Sequence, residues 1–313
     1  MLKTDGIHHI SAMVNDAQRT IDFYTGLLGL RLVKKTINFD RPEVYHLYFG
    51  NETGDSGSVI TFFPWAKQLK GRIGTGQVGA TAYMIPSGSI SFWESRLQKY
   101  QIPFQSSSRY GETYLEFGDP DGLHIELVER EEGSMNKWNA SEIPAEYAIK
   151  GFAGATLLSK FPYKTAEVLE TILGLTCLGQ EGEFLRFKAV GHLGNIIDIK
   201  LSASVRGLMG AGTVHHIAWR AKDDEQHQKW RELLEQEEYF PTEILNRNYF
   251  KALYFHEGGG ILFEIATDPP GFTVDEPMSE LGENLMLPTW LEEKREELVE
   301  LLPRVEVKSL KGE

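Results

Sequence analysis

Two periods of apolar residues alternate along this chain, and they do so four times. The first stretch, GIHHISAMV, is extended and mostly apolar. In NDAQRTIDFYTGLLGLRLV the apolar residues Ile21, Phe23, Tyr24, Leu27 and Leu28 fall near helical spacing. Asn15 or Asp16 suits the start of that helix, and Gly29 its stop. YHLYFG and SVITFFPW then return to the β-branched and aromatic residues typical of strands.

The order strand, helix, strands recurs. QVGATAYMI, SISFWESRLQKYQI and TYLEFGDPDGLHIELVE form a second unit, with a hairpin turn predicted at Asp119-Pro120-Asp121-Gly122. GFAGATLLS, KTAEVLETILGL, EFLRFKAV and NIIDIKL form a third. TVHHIAWRA, DDEQHQKWRELLEQEEY and NYFKALYFHEGGGILFEIAT form a fourth. The linkers AKQLKGRIGTG, REEGSMNKWNASEIPAE and SASVRGLMGAG are polar or Gly-rich. The pattern predicts an α+β protein of four βαβββ modules. Each module leaves one sheet face uncovered, so the modules must pair; four of them imply two paired domains or a four-module ring, with a cavity between sheets. In chain order, residues 1–147 carry modules one and two, 148–268 carry modules three and four, and 269–313 form a tail ending in the helical TWLEEKREELVELLP. That tail suits either a cover over one module or a lid.

Composition narrows the function. The formal net charge of −13, with Lys and Arg scattered, disfavours nucleic acid and anionic membranes as partners. No run approaches about 18 apolar residues, and the N-terminus lacks the apolar stretch of a signal peptide. A single cysteine, Cys177, excludes an internal disulfide and a thiolate-rich metal cluster; in LGLTCLG it is expected to be small and buried. A cytoplasmic protein is expected, and a homo-oligomer is compatible with the sequence.

The first strands carry the chemistry. Modules one and four have His8-His9 and His215-His216, whereas modules two and three have Ala80-Thr81 and Ala155-Thr156 in a shared Gly-Ala-Thr string. Histidine is therefore no structural need of this strand. Adjacent strand residues face opposite ways, so one histidine of each pair can face a cavity. His9 shares its face with Ser11 and Met13, and His216 with Ala218 and Arg220; these are the better ligands. His8 and His215 would support the site or donate hydrogen bonds nearby.

Glu264 is a charge inside the apolar ILFEIATD strand, expensive unless paired or metal-bound. Glu126 holds a similar place in module two, without histidines, and module one has Phe62 or Phe63 there. A single His or Glu in a strand is more often a satisfied core residue. Two histidine pairs at equivalent repeat positions are harder to explain that way. His9, His216 and Glu264 thus read as a two-histidine, one-carboxylate set with about three open positions, the habit of non-haem Fe(II) oxygenases. Mn2+, Co2+ or Zn2+ can occupy similar ligands. Modules one and four must then share a cavity. A hairpin turning at Gly258-Gly259-Gly260 sets Tyr254 opposite Glu264 and His256 opposite Leu262, placing a phenol beside the site. Arg247, slightly earlier, could hold an anionic oxygen, while strand packing and a solvated loop are the plainer accounts of both.

GIHHI, VHHIA and RNYFKALYFHEGGGILFEIATDPPGF resemble the vicinal oxygen chelate (glyoxalase/bleomycin resistance/extradiol dioxygenase) superfamily. Within it the chain is most similar to hydroquinone ring-cleaving dioxygenases of the MhqO and PcpA type, over essentially its whole length. That resemblance implies Fe(II) on His9, His216 and Glu264, with Tyr254, His8, His215 and Arg247 around a small aromatic diol that reacts with O2. It leaves His256 in doubt as a substrate contact, since the family sometimes has Arg there. Phe62, Phe63 or Trp219 could stack on the ring. The alternatives are a glyoxalase-like isomerase or lyase, which uses a fuller ligand set, and a metal-free binding protein of the same fold.

Overall fold

The computed structural model describes residues 2–138, 142–202 and 205–307. The linkers marked in the sequence between modules two and three and between three and four each include residues outside these ranges, as does the end of the tail.

Each module is one strand, one helical segment and three strands. Module one has β1 (Ile7–Val14), β2 (Arg31–Asn38), β3 (Arg41–Gly50) and β4 (Val59–Pro64); module two has β5 (Gln77–Ile85), β6 (Phe104–Arg109), β7 (Glu112–Gly118) and β8 (His124–Glu129). Module three has β9 (Gly151–Leu158), β10 (Thr176–Glu181), β11 (Phe184–Lys188) and β12 (Ile196–Lys200). Module four has β13 (Thr213–Ala221), β14 (Leu245–Asn246), β15 (Lys251–His256) and β16 (Leu262–Thr267). The expected α+β repeat is what the chain forms.

The repeat extends to helix detail. In modules one and three a short α-helix (Ala17–Ile21, Pro162–Glu167) widens into a π-helical turn (Asp22–Leu27, Val168–Ile172). Both stop at a glycine with positive φ, Gly29 at 69° and Gly174 at 71°, inside Leu-Gly-Leu. Asp16 caps the first helix by accepting from the Arg19 amide.

Two eight-stranded sheets result, ordered β14-β15-β16-β13-β1-β4-β3-β2 and β10-β11-β12-β9-β5-β8-β7-β6. Each is two modules joined through antiparallel first strands, β1 with β13 and β5 with β9. Module one therefore pairs with module four, and module two with module three. The sheets do not follow the division at residue 147: each takes one module from either half of the chain. In every module the first strand runs parallel to the last. One continuous apolar core joins both sheets and their helices.

The tail covers module one. Leu285 bridges to Lys35, and the Tyr45 hydroxyl donates to the Pro303 carbonyl. Its firmest hold is Lys34 on β2, fully buried, whose ammonium lies 2.6 Å from both Asp275 and Glu276. Tyr249 also donates to Asp275, and Glu276 accepts amides of Gly282 and Asn284. Lys34→Met would leave this carboxylate pair without a cation, and breaking a buried pair costs about 3–5 kcal/mol. A urea midpoint lowered accordingly is the expected result; an unchanged midpoint would show that the tail lifts and rehydrates at no cost.

Among the described residues no helix is long and apolar enough to cross a membrane. Cys177 is exposed, contrary to expectation, because β10 is the edge strand of its sheet.

Candidate metal centre

The β1/β13 junction decides what meets what. Ser11 lies opposite His216 and His9 opposite Ala218. Ala218 in turn lies beside Glu264 on parallel β16, and Ser11 beside Thr61 on β4. Two histidines and one carboxylate from strands at opposite ends of the chain thereby reach one point. The ligand atoms of His9, His216 and Glu264 all lie within 4.8 Å of one another, and all three residues are buried.

The distances suit a common ion. His9 Nε2 is 3.3 Å from His216 Nε2, and Glu264 Oε2 is 3.4 Å and 2.8 Å from them. Donors roughly 2.1 Å from one centre and mutually perpendicular would sit about 3.0 Å apart. Both Glu264 oxygens are buried without a hydrogen-bond partner, so the 2.8 Å approach to His216 lacks hydrogen-bond alignment. Burial opposes its charge, but the two imidazoles hold the carboxyl well below its usual range. A fully buried carboxylate left this way is costly unless a cation completes it. The residues fit a divalent metal.

The histidine pairs now have a physical reason. His9 Nδ1 lies 2.9 Å from His8 Nδ1, and His216 Nδ1 lies 2.8 Å from His215 Nδ1. With each Nε2 kept as a lone pair, each Nδ1–H donates to the preceding histidine, which fixes tautomer and ring together. His8 passes its own proton on, Nε2–H donating to the Thr267 carbonyl at 3.2 Å. Accepting requires a neutral ring. Burial, then the neighbouring His9, pushes His8 down to about 3; burial, then His216, pushes His215 down to about 4.

Linkage turns this into an expectation about pH. His8 binds a proton below about 3 when folded, but near 6.5 when unfolded. Between those values the unfolded chain holds more protons, so stability falls as pH falls. Acidifying from pH 7 to pH 5 should cost about 2 kcal/mol through His8 alone. Urea unfolding at both pH values, for the parent and His8→Gln, measures it; an unchanged slope in the variant would clear His8 of the effect.

A cavity of about 300 Å³ opens over His9 and His216. His9, Ser11 and Met13 line it, as the strand alternation predicts, and His215 reaches it as well. Tyr254 pairs with Glu264, and His256 with Leu262, in the register read from the hairpin. Burial and the Glu264 charge raise the Tyr254 phenol far above its ordinary value, so it keeps its proton. Arg247 stands 5.6 Å over the Tyr254 ring and also lines the cavity. His8 lies behind His9, outside the lining, and His256 is exposed.

Some expectations need correction. Trp219 is fully buried against Phe263 on the core side and cannot stack on a ligand. Phe62 packs on Tyr24 in the core at 4.4 Å, whereas Phe63 does line the cavity. The carboxylate place in module one belongs to Thr61, since Ser11 faces Thr61 as Ala218 faces Glu264. Similarly Ala80 stands for His216 and Gly154 for His9, because Ala80 pairs with Thr156 and Ala82 with Gly154. β-bulges in β1/β13 and β5/β9 displace the count by one or two residues from the Gly-Ala-Thr alignment.

Sequence reasoning also missed His46. Its ring lies between Tyr48 and Phe63, with Nε2 2.8 Å from Thr61 Oγ1 and Nδ1 2.8 Å from the Tyr48 hydroxyl. Thr61 Oγ1 is also 2.7 Å from Ser11 Oγ. The available signal was a lone histidine inside the apolar YHLYF. Phe250, 4.9 Å from the His9 ring, was missed too.

The other sheet repeats the geometry without the chemistry. Glu126 stands where Glu264 does and Asp198 where Thr61 does. Both carboxylates are neutralised from within: Arg109 donates to Asp198 at 2.7 Å and to Glu126 at 3.1 Å, and Arg186 grips Asp198 with two nitrogens. Guanidinium groups fill the place that is left open between modules one and four.

Known proteins share this architecture. Residues 6–127 match the family described as Glyoxalase/Bleomycin resistance protein/Dioxygenase superfamily. The chain is 55% identical to a Bacillus subtilis (strain 168) protein named "Putative ring-cleaving dioxygenase MhqO", across 98% of this chain and 99% of that one. It is 33% identical to the chlorohydroquinone/hydroquinone 1,2-dioxygenase of Sphingobium indicum, across 95% of each. A crystal structure titled "putative dioxygenase" from Bacillus subtilis subsp. subtilis str. 168 superposes with a TM-score of 0.97 at 55% identity, covering 98% of this chain and 99% of that one. The chain belongs to the glyoxalase/bleomycin resistance protein/dioxygenase superfamily and, within it, to the ring-cleaving dioxygenases.

Proposed function

We propose that this protein is an Fe(II)-dependent, extradiol-type dioxygenase that opens the ring of a hydroquinone-like diol with O2. The observation that carries this reading is a two-histidine, one-carboxylate set whose fourth ligand place is taken by Thr61. A threonine hydroxyl already bonded to Ser11 and His46 is a poor ligand. Three protein donors leave room for both a substrate oxygen and O2, the arrangement that non-haem iron oxygenases use. The printed name of the Sphingobium indicum relative favours hydroquinones as the substrate class. The same threonine weighs against a glyoxalase-like isomerase, which needs the fuller ligand set.

When bound, Fe(II) supplies the one-electron steps that allow O2 to react with a closed-shell ring. His9, His216 and Glu264 would hold it, with His8 and His215 fixing the imidazoles. Phe63 and Phe250 offer apolar ring faces beside it. Tyr254, a neutral phenol next to Glu264, can hand its proton to a substrate oxygen or take one through it. Arg247 steadies negative charge from the same side.

Reconstitution with Fe(II) under argon, followed by O2 uptake on a panel of hydroquinones and catechols, tests the proposal. One iron per chain and O2 consumption with a hydroquinone, giving an open-chain product, is the expected result. Bound metal with no O2 uptake, but isomerisation of a glutathione hemithioacetal, would establish the isomerase instead. No bound metal at all would leave a binding protein.

A further inference from the structure

At the cavity mouth Arg247 is paired with a carboxylate, Asp40, that the chemistry above does not use. Asp40, on the turn between β2 and β3, has its carboxylate 3.3 Å from the Arg247 guanidinium. Among the described residues lining the cavity, Arg247 is the one cation and Asp40 the one anion. The turn is held in place: the Asn38 side chain accepts the amides of Asp40 and Arg41, and Phe39 packs edge-on against Trp290 of the tail.

We infer that Asp40 is a specificity-determining residue, admitting rings with no charged substituent and turning away those bearing a carboxylate or sulfonate. The inference rests on the hydroquinone reading above. A divalent ion, Glu264, Arg247 and Asp40 together leave one positive charge, which a single phenolate matches. A ring carboxylate would add an anion with no free cation to meet it. Arg247 is the group that would otherwise grip it bidentately, and Asp40 both occupies that guanidinium and repels the newcomer. Methyl or halogen substituents face no such penalty.

The Asp40 side chain is 75% exposed and that of Arg247 21%, so the effect is modest, about fivefold in relative affinity. Calorimetric binding of hydroquinone and of 2,5-dihydroxybenzoate to the metal-loaded protein, without O2, reads it directly. The parent should favour hydroquinone. Asp40→Asn should tighten dihydroxybenzoate and narrow the preference about fivefold, and adding Arg247→Gln should cancel that gain. Thermal melts confirm that the variants are folded. A preference unmoved by Asp40→Asn, or a parent that binds both ligands alike, overturns the inference. If hydroquinone fails to bind any of the proteins, the substrate reading falls first and takes this inference with it.

Discussion

Glu264→Ala should give a folded protein that retains no stoichiometric iron and shows no O2 uptake above background. Glu264 is the only anion of the three donors, and both its oxygens are buried with no hydrogen-bond partner. Two neutral imidazoles alone would hold a divalent ion weakly, because charge neutralisation and one of three bonds are lost together. The same change should leave the metal-free protein as stable as its metal-free parent, or more so. Without its ion, the parent has only imidazoles to face that buried carboxylate, and burial opposes the protonation of His216 that would neutralise it. A residue kept for packing would behave in the opposite way: the variant would unfold earlier and the metal would stay. Iron analysis beside a urea titration separates the two.

Tyr254→Phe should differ in kind. Iron per chain is expected to stay near normal while turnover falls about 10²–10⁴-fold, the usual contribution of a positioned proton donor or acceptor. The ground is position: Tyr254 is the direct cross-strand partner of Glu264, its ring 5.5 Å from that of His216. Its hydroxyl is adjacent to the centre, yet the protein already has three better donors. Full ring-cleaving activity in Tyr254→Phe would make Tyr254 a packing residue and send the proton by His215 or water. The pair of variants thus tests ligand and proton handler separately.

The module repeat and the hairpin were legible because both rest on local rules. Apolar period, turn residues and a glycine stop act within a few residues of one another, so the register of Tyr254 against Glu264 follows from the Gly258–Gly260 turn. The positions of His9 and His216 on the cavity face follow from strand alternation. What the sequence hid depends on pairing between distant strands. Thr61 could not be told from Phe62 or Phe63 by counting, because a bulge in one strand slips the alignment of another. Trp219 is aromatic and near the site in sequence, yet it lies on the core side of β13. Cys177 has apolar neighbours, but an edge strand exposes it. His46 shows its role only once β3 is laid beside β4, which brings it to Thr61.

The pairing of module one with module four has a consequence for how the molecule is made. Modules two and three are adjacent in the chain and can close their sheet as soon as both have left the ribosome. β1 emerges first, yet its partner β13 begins more than two hundred residues later. The chain closes like nested brackets, inner pair before outer, and β1 must stay unpaired on that side until then. Such a long wait is where chaperones and misassembly have their opening. It also means that no nascent fragment ending before residue 264 holds the full ligand set. A metal held by all three residues can be captured only once β16 has been made, after every other strand of the two sheets.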